Sequence, residues 1–388
     1  ESAAGNETNP VGTGPYKVSK WVRGDSVTLV KQDHYRDAGS IKLSKVTFKF
    51  MSDPSAQMAA LRAGDIDFFP YFGSPESVDQ FKADKDFDVL VGTTEGEVIL
   101  STNNKSKIMS DVRVRQAVAY AIDRQAIVDG AMFGFGTPIG SHMAPHNPAY
   151  VDLTADFAYN PAKAKALLKE AGHGNGVTVS LKLPPPAYAR RGGEIIAAQL
   201  AKVGITAKIE PVEWAQWLDQ VYKKRNYDLS IVMHVEPNDI GKYADPKYYF
   251  QYDSKEFQDI IKIADTTLDP AERKSALQAA QRKISADAVN GFLFQGAKIT
   301  VMAKGLKGVW KNSPMFIFLC PLSILISLGS VKRKILFRWD ITKRKEELCR
   351  GWTRRKKKKN KPEQLGQKLI GHCIKERAQE RTPLEQNC

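Results

Sequence analysis

The chain reads as an α/β protein. Segments with the two-residue periodicity of strands alternate with segments of helical periodicity over most of its length. Several helix starts carry a capping side chain followed by proline. No internal repeat points to a solenoid or a propeller.

The elements follow in order. Val11-Gly-Thr-Gly-Pro-Tyr16 is a tight turn that leads into a strand. Residues 27–32 and 45–51 read as strands, the second with clean alternation. Ser52-Asp-Pro54 supplies a cap and a first-turn proline to a helix over 55–62 that stops near Gly64, and 65–69 returns as a strand. Residues 87–103 predict two short strands. A helix over 112–128 places Val114, Val118, Ala121 and Ile122 on one stripe. Asn160-Pro-Ala-Lys163 opens another helix, which Gly172 ends. Strand 177–183, helix 193–203, strand 205–212, helix 213–224 and a buried strand over 228–235 come next. Helices over 256–266 and 271–288, the latter behind Asp269-Pro270, precede a final strand over 292–302.

Composition divides the chain sharply. A net charge of +15 over 388 residues suggests an anionic partner, but its distribution argues otherwise. The 73 residues from Phe316 to Cys388 hold 19 Lys and Arg against 7 Asp and Glu, which leaves residues 1–315 with a net of only +3. All four cysteines, Cys320, Cys349, Cys373 and Cys388, also lie in that tail. A cysteine-free body suits an oxidising compartment. The tail cysteines lack metal-ligand spacing and read as unpaired thiols. The first residues have neither the basic start nor the apolar core of a signal peptide, which fits a mature or truncated start.

The Val11–Tyr16 turn, the unit Ala60-Leu-Arg-Ala-Gly-Asp-Ile-Asp67 and the helix opening Asp111-Val-Arg-Val-Arg-Gln-Ala-Val-Ala-Tyr-Ala-Ile-Asp-Arg124 stand in an informative order. Together they resemble the extracytoplasmic solute-binding proteins of bacterial peptide importers, the dipeptide- and oligopeptide-binding family. The resemblance runs from about residue 9 to 315. It implies a two-lobe, periplasmic-binding-protein-like (type II) fold, in which the chain builds part of lobe one, crosses to lobe two and returns. Mapped here, 1–102 is a remnant of lobe one, 103–290 is lobe two and 291–315 is the return segment. Lobe one is then incomplete, because the family's turn lies well inside its proteins and here sits near residue 1. The implied function is capture of a small peptide or peptide-like amine between the lobes and delivery to a membrane permease of an ABC importer. The implied setting is the periplasmic or extracellular side of a bacterial membrane, with the protein a monomer, without turnover and without a cofactor.

A zwitterionic peptide needs two opposed charges. A guanidinium suits its carboxylate through paired hydrogen bonds, and a carboxylate suits its amine. Arg190 and Arg191 lie where dipeptide-binding relatives carry a carboxylate-binding arginine, and either can match. An exposed basic pair at a helix start is the plain alternative. His234-Val-Glu-Pro-Asn-Asp239 falls where relatives carry an amine-holding aspartate in a Trp- and Asp-rich stretch. Here His234 replaces the aromatic, and either Glu236 or Asp239 can take the anionic role. Trp214 and Trp217 share a helix face, either as the floor for a ligand side chain or as core. Tyr243, Tyr248, Tyr249 and Tyr252 make an aromatic loop beside the cleft, and Tyr16 faces it from lobe one.

No phosphate-binding loop, nucleophile elbow or zinc-protease motif is present. Gly134-Phe-Gly-Thr-Pro-Ile-Gly140 has the wrong spacing for a dinucleotide loop and reads as a turn. His142 and His146 are four apart, but Pro145 between them disfavours a helix, so they read as loop histidines rather than metal ligands. Beyond Met315 the composition changes to an apolar run over 315–331 and then to Arg354-Arg-Lys-Lys-Lys-Lys359. At 17 residues that run sits at the lower limit for a membrane span, which needs roughly 17–25. A foreign sequence, a membrane anchor and a salt-sensitive nucleic-acid contact are the three readings of the tail. The like-charge block favours the first over nucleic acid.

Overall fold

The structure is a computed structural model and describes Gly5 and residues 10–51, 53–236 and 239–313. The tail readings, including the anchor over 315–331, lie outside the described residues. Within them no helix is long and apolar enough to cross a membrane.

The α/β reading holds, in two sheets. Strands β1 (Tyr16–Val22), β2 (Ser26–Lys31) and β3 (Lys45–Lys49) form an antiparallel three-stranded sheet. The helix α1 (Pro54–Ala63) follows, with Asp53 accepting a hydrogen bond from the Ala56 amide at 2.7 Å and proline in its first turn. The second sheet takes in β4 (Phe68–Phe69), β5 (Phe87–Thr102), β6 (Gly136–Pro138), β7 (Val177–Leu183), β8 (Ile205–Pro211), β9 (Leu229–His234) and β10 (Gly291–Ala303). Its order is β4-β10-β5-β9-β7-β8, with β6 also on β10. β7 and β8 are parallel, as a βαβ crossover requires. Their crossover helix spans Ala187–Ala201 and begins six residues earlier than the sequence suggests. Gly193 in that helix lets it lie against the sheet, because a Cβ there would sit 2.3 Å from Leu183 Cδ1.

Two expectations are corrected. Residues 87–103 are one long strand rather than two. The helix over 112–128 is two helices, Val112–Ala121 and Arg124–Met132. The break falls where Asp123 leaves the first helix and caps the second, accepting from the Ala126 amide, while its own amide donates to Gln199 Oε1. The helix after Glu213 is also short. It covers Trp214–Trp217 and continues as a wider π-type turn over Leu218–Lys223.

The apolar interior falls into separate regions strung along β5 and β10. At one end Phe87, Val89, Ile299 and Val301 pack with Leu61, Phe69, Phe72 and Phe81. At the other, Val98, Leu100, Leu293 and Phe294 join Val114, Leu181, Ile196 and Ile231, while Ile99 and Phe292 face a second cluster with Trp217, Tyr243 and Phe257. Between the ends the antiparallel register breaks. Glu97 faces Gln295, Thr93 faces Ala297, and residues 94–96 oppose Gly296 alone.

The segment after β10 passes over this strand pair at Gly92. The Thr93 amide donates to Asn312 Oδ1 at 3.0 Å, and the Ser313 amide to the Thr93 carbonyl at 3.1 Å. A Cβ on Gly92 would stand 1.9 Å from the Lys311 carbonyl oxygen, which is backbone and cannot swing aside. Gly92→Val is therefore expected to destabilise the chain by ~1–3 kcal/mol, the usual cost of overpacking. Gly12→Val, at an exposed site with nothing within 4 Å of the new Cβ, should leave the melting temperature almost unchanged. Equal melting temperatures for the two variants would contradict this account of the crossing.

Candidate functional site

The polar groups that the sequence does not use as surface gather where β5, β9 and β10 meet. Glu97 of β5 is paired in register with His234 of β9 on one side and Gln295 of β10 on the other. β9 ends at His234, and the chain then enters a 3-10 turn, Asp239–Ala244, which swings Asp239 back under the strand end. The loop after β6 brings His142 to the same place.

The three side chains form one closed network. Asp239 Oδ1 lies 2.7 Å from His142 Nε2, and Asp239 Oδ2 lies 2.7 Å from His234 Nδ1. The far nitrogen of each imidazole meets a phenol: His142 Nδ1 is 3.1 Å from Tyr243 Oη, and His234 Nε2 is 2.8 Å from Tyr249 Oη. Asn290 donates to Tyr243 Oη at 2.8 Å and accepts from the Thr102 amide, which ties the cluster to both long strands. Only 1% of the His142 side chain and 6% of the Asp239 side chain reach solvent. Burial alone would raise the Asp239 pKa, but the two imidazoles outweigh it and hold the carboxyl well below the usual range. Glu97 behaves oppositely. Burial first, then the charges of Asp239 and Glu95, push it up to about 9. Its Oε2 finds no hydrogen-bond partner among the described residues. One of these two neighbouring acids is thus ionised and the other protonated at neutral pH.

A second polar knot occupies the register break itself. His146 Nε2 lies 2.6 Å from Glu95 Oε1, and its Nδ1 is 3.1 Å from Gln295 Nε2. Thr94 Oγ1 donates to the Gly296 carbonyl at 2.8 Å. The two loop histidines, read together from sequence, therefore serve different clusters.

The structure places the other candidate residues as follows. Arg190 is turned inward, where Nε donates to the Pro184 carbonyl at 2.9 Å and an Nη to the Val212 carbonyl at 3.0 Å. Arg191 instead forms a two-pronged contact with Glu76, at 3.1 and 3.4 Å, and also lies over the Phe133 ring. Trp217 is buried, and its indole N–H donates to Ser230 Oγ at 2.9 Å, so it packs as core. Trp214 stays 37% exposed with its ring edge-on to Trp217. Tyr16 donates to the Leu43 carbonyl, and burial pushes its hydroxyl up to about 12. Glu236 is exposed just past the end of β9, whereas the side chains of His234 and Asp239 are buried. Sequence reading missed Glu97 and Asn290, and it set His142 aside. Only their sheet neighbours reveal them.

Apolar regions threaded by one pair of long strands, with the polar site beside that pair, go with the two-lobe, type II periplasmic-binding-protein fold. The chain belongs to the bacterial extracellular solute-binding proteins, family 5, whose middle-region family model matches residues 1–260. It is similar to the dipeptide-binding protein of Escherichia coli (strain K12), 29% identical over 296 residues that cover 71% of this chain and 54% of the relative. It is also similar to the glutathione-binding protein GsiB of the same strain, 28% identical over 321 residues, 78% of this chain and 62% of the relative. The chain spans little more than half the length of these curated relatives. Among solved structures it resembles the binding protein AgaA in complex with agropinic acid, from A. tumefaciens R10, with 26% identity and a TM-score of 0.70 over 84% of this chain and 70% of that one. DppA of Helicobacter pylori, in complex with the peptide STSA, shares the fold at 23% identity and a TM-score of 0.72, over 82% and 64% of the two chains. The relatives named here are, by name, binding proteins.

The two arginines should separate experimentally. Arg190→Met strips two carbonyls of their donor and should cost ~1–3 kcal/mol. Arg191→Met removes a half-exposed ion pair and should cost at most about 1 kcal/mol. Its cost should also depend on pH. Burial acts to raise the Glu76 pKa, but Arg191 overrides it and lowers the pKa below the ordinary 4.5. That stabilisation is present above the unfolded pKa and is lost as pH falls through the folded value. Urea melts should show the Arg191→Met deficit at pH 7 and a shrinking deficit as the pH is taken down below the ordinary carboxylate range. A deficit unchanged over that range would mean the pair is not what Arg191 contributes.

Proposed function

We propose that this chain is the extracytoplasmic solute-binding component of an ABC importer. It captures a small peptide or peptide-like amine between two lobes and delivers it to a membrane permease, as a monomer and without turnover. Taken at the register break, one lobe would hold the chain up to Thr93 with the return segment from Ala297, and the other would hold 103–290 together with residues 97–102 of β5 and 291–295 of β10, which moves the 1–102, 103–290 and 291–315 boundaries to the break. The observation that carries the reading is the pair of strands β5 and β10, each of which packs into apolar regions on both sides of a register break. The pairing shifts register between Phe292 and Phe294 and again between Gln295 and Ala297, and the wider of these, opposite 94–96, is where two lobes would turn against each other. Family membership gives the same direction.

The solute's amine would meet the exposed carboxylate of Glu236, since Asp239 is already occupied by two imidazoles. Its side chain would rest on the exposed face of Trp214. Arg191, which joins Glu76 across 115 residues of chain, closes the arrangement rather than taking the solute's carboxylate.

Calorimetric titration with a mixed set of di- and tripeptides, amino acids and peptide-like amines is the test. Saturable binding of one solute per chain is expected, weakened by Glu236→Gln by ~10–100-fold, the worth of a hydrogen bond to a charged group. A well-folded sample that binds none of these compounds would remove the ligand class.

A further inference from the structure

We propose that His142, His234 and Asp239 form a binding site for one divalent transition-metal ion. The site lies beyond the solute-binding reading and stands without it.

The argument is geometric. One donor atom from each of the three side chains lies within 4.8 Å of the other two. Both imidazoles present a ring nitrogen to the same carboxylate, at 2.7 Å each. Atoms that share a tetrahedral sphere of about 2.0–2.2 Å radius stand roughly 3.3–3.6 Å apart, so each imidazole nitrogen would draw back from the carboxylate by less than about 1 Å as the ion enters. The ligands come from three separate segments: the loop after β6, the end of β9 and the 3-10 turn that follows it. Each is held before any ion arrives.

The outer shell has the form that metal-bound histidine requires. A ligating imidazole commonly donates through its second nitrogen to a fixed acceptor, which sets the tautomer and the ring plane. Here both second nitrogens meet phenol oxygens, of Tyr243 and Tyr249. Tyr243 is fixed in turn by Asn290, and Tyr249 receives the Tyr227 hydroxyl on its carbonyl. On binding, the ring proton that lies toward Asp239 is given up there and one is carried on the opposite nitrogen, whose N–H then donates to the phenol oxygen while the phenol's own hydroxyl proton turns away from the ring. The ring nitrogens then offer lone pairs to the ion, and no proton need leave the cluster.

The donor set selects the metal class. Two imidazoles and one carboxylate suit zinc, nickel or copper, whereas calcium and magnesium want oxygen alone. Three protein ligands leave a fourth tetrahedral position open to water or to a solute donor. His146, which serves the register break, takes no part.

The test uses the full chain with its four tail cysteines alkylated, so that thiols cannot compete, and stripped of metal with a chelator. Zinc is titrated by calorimetry, cobalt by its visible absorption, and thermal unfolding is followed with and without zinc. The expected result is one ion per chain at micromolar concentration, the intense visible band of four-coordinate cobalt and a higher melting temperature with zinc. His234→Gln and Asp239→Asn should abolish all three signals, and His173→Gln should change none. Because the buried variants could fail to fold, Tyr243→Phe and Tyr249→Phe serve as milder probes, expected to weaken zinc by ~10–100-fold each. No zinc binding by the alkylated wild-type chain would overturn the proposal. So would binding undiminished in His234→Gln, or in both phenylalanine variants.

Discussion

The pairing of β5 with β10 is the constraint on which the rest of the molecule depends. These two strands are antiparallel neighbours from Phe87–Ala303 at one end to Leu100–Gly291 at the other, and every larger apolar region leans on one stretch of them. The strands alone would form an uninterrupted ribbon. The break at 94–96 prevents this, and the groups freed by the lost ladder are taken up by side chains: Thr94 on the Gly296 carbonyl and Gln295 on the Thr94 carbonyl. A buried backbone group without a partner costs ~1–3 kcal/mol, so those substitutions for ladder bonds are what make the break tolerable. The return segment over Gly92 adds a strap next to the same point.

The buried polar site depends on that pairing in turn. Glu97 lies between His234 and Gln295 in register, immediately beside the break. Two acids close together in an apolar setting do not both ionise. Here the division is made by partners: Asp239 has two imidazoles, while Glu97 has only backbone amides and one bare oxygen. The proton ordering of the network is therefore set by which side chain the turn after β9 delivers to the histidines.

Much of this was legible in the sequence, because periodicity and capping are local. The cap and proline before α1, the strand over 177–183 and the class of the fold all follow from neighbours in the chain. The family resemblance fixed the two-lobe form. What local signals could not supply was partnership at long range. Asp123 looks like part of one continuous helix until it caps a second one. Arg190 and Arg191 are indistinguishable by sequence, yet one helix turn directs the first to two buried carbonyls and the second to Glu76. His142 and His146 suggest a pair by spacing, whereas the true partner of His142 lies 97 residues away at Asp239. Trp217 needed Ser230 opposite it to be recognised as core.

The position of the triad beside the break has a mechanical consequence. Glu97 is held by β9 and β10 together, and Asn290 at the head of β10 holds both the Thr102 amide and Tyr243. Any rotation about 94–96 that moved the far end of β5 would leave residues 97–102 fixed by β9, with the His234–Asp239–His142 network intact. Residues 87–93 and the strap at Asn312 lie on the other side of the break, and the Arg191–Glu76 bridge, whose arginine sits on the helix packed with Val98 and Leu100, would be made or broken by the change. The buried network is thus a rigid floor and the exposed ion pair the part that can open, which matches their burial: 1–8% exposure for the histidine and aspartate side chains against 35–41% for the bridge.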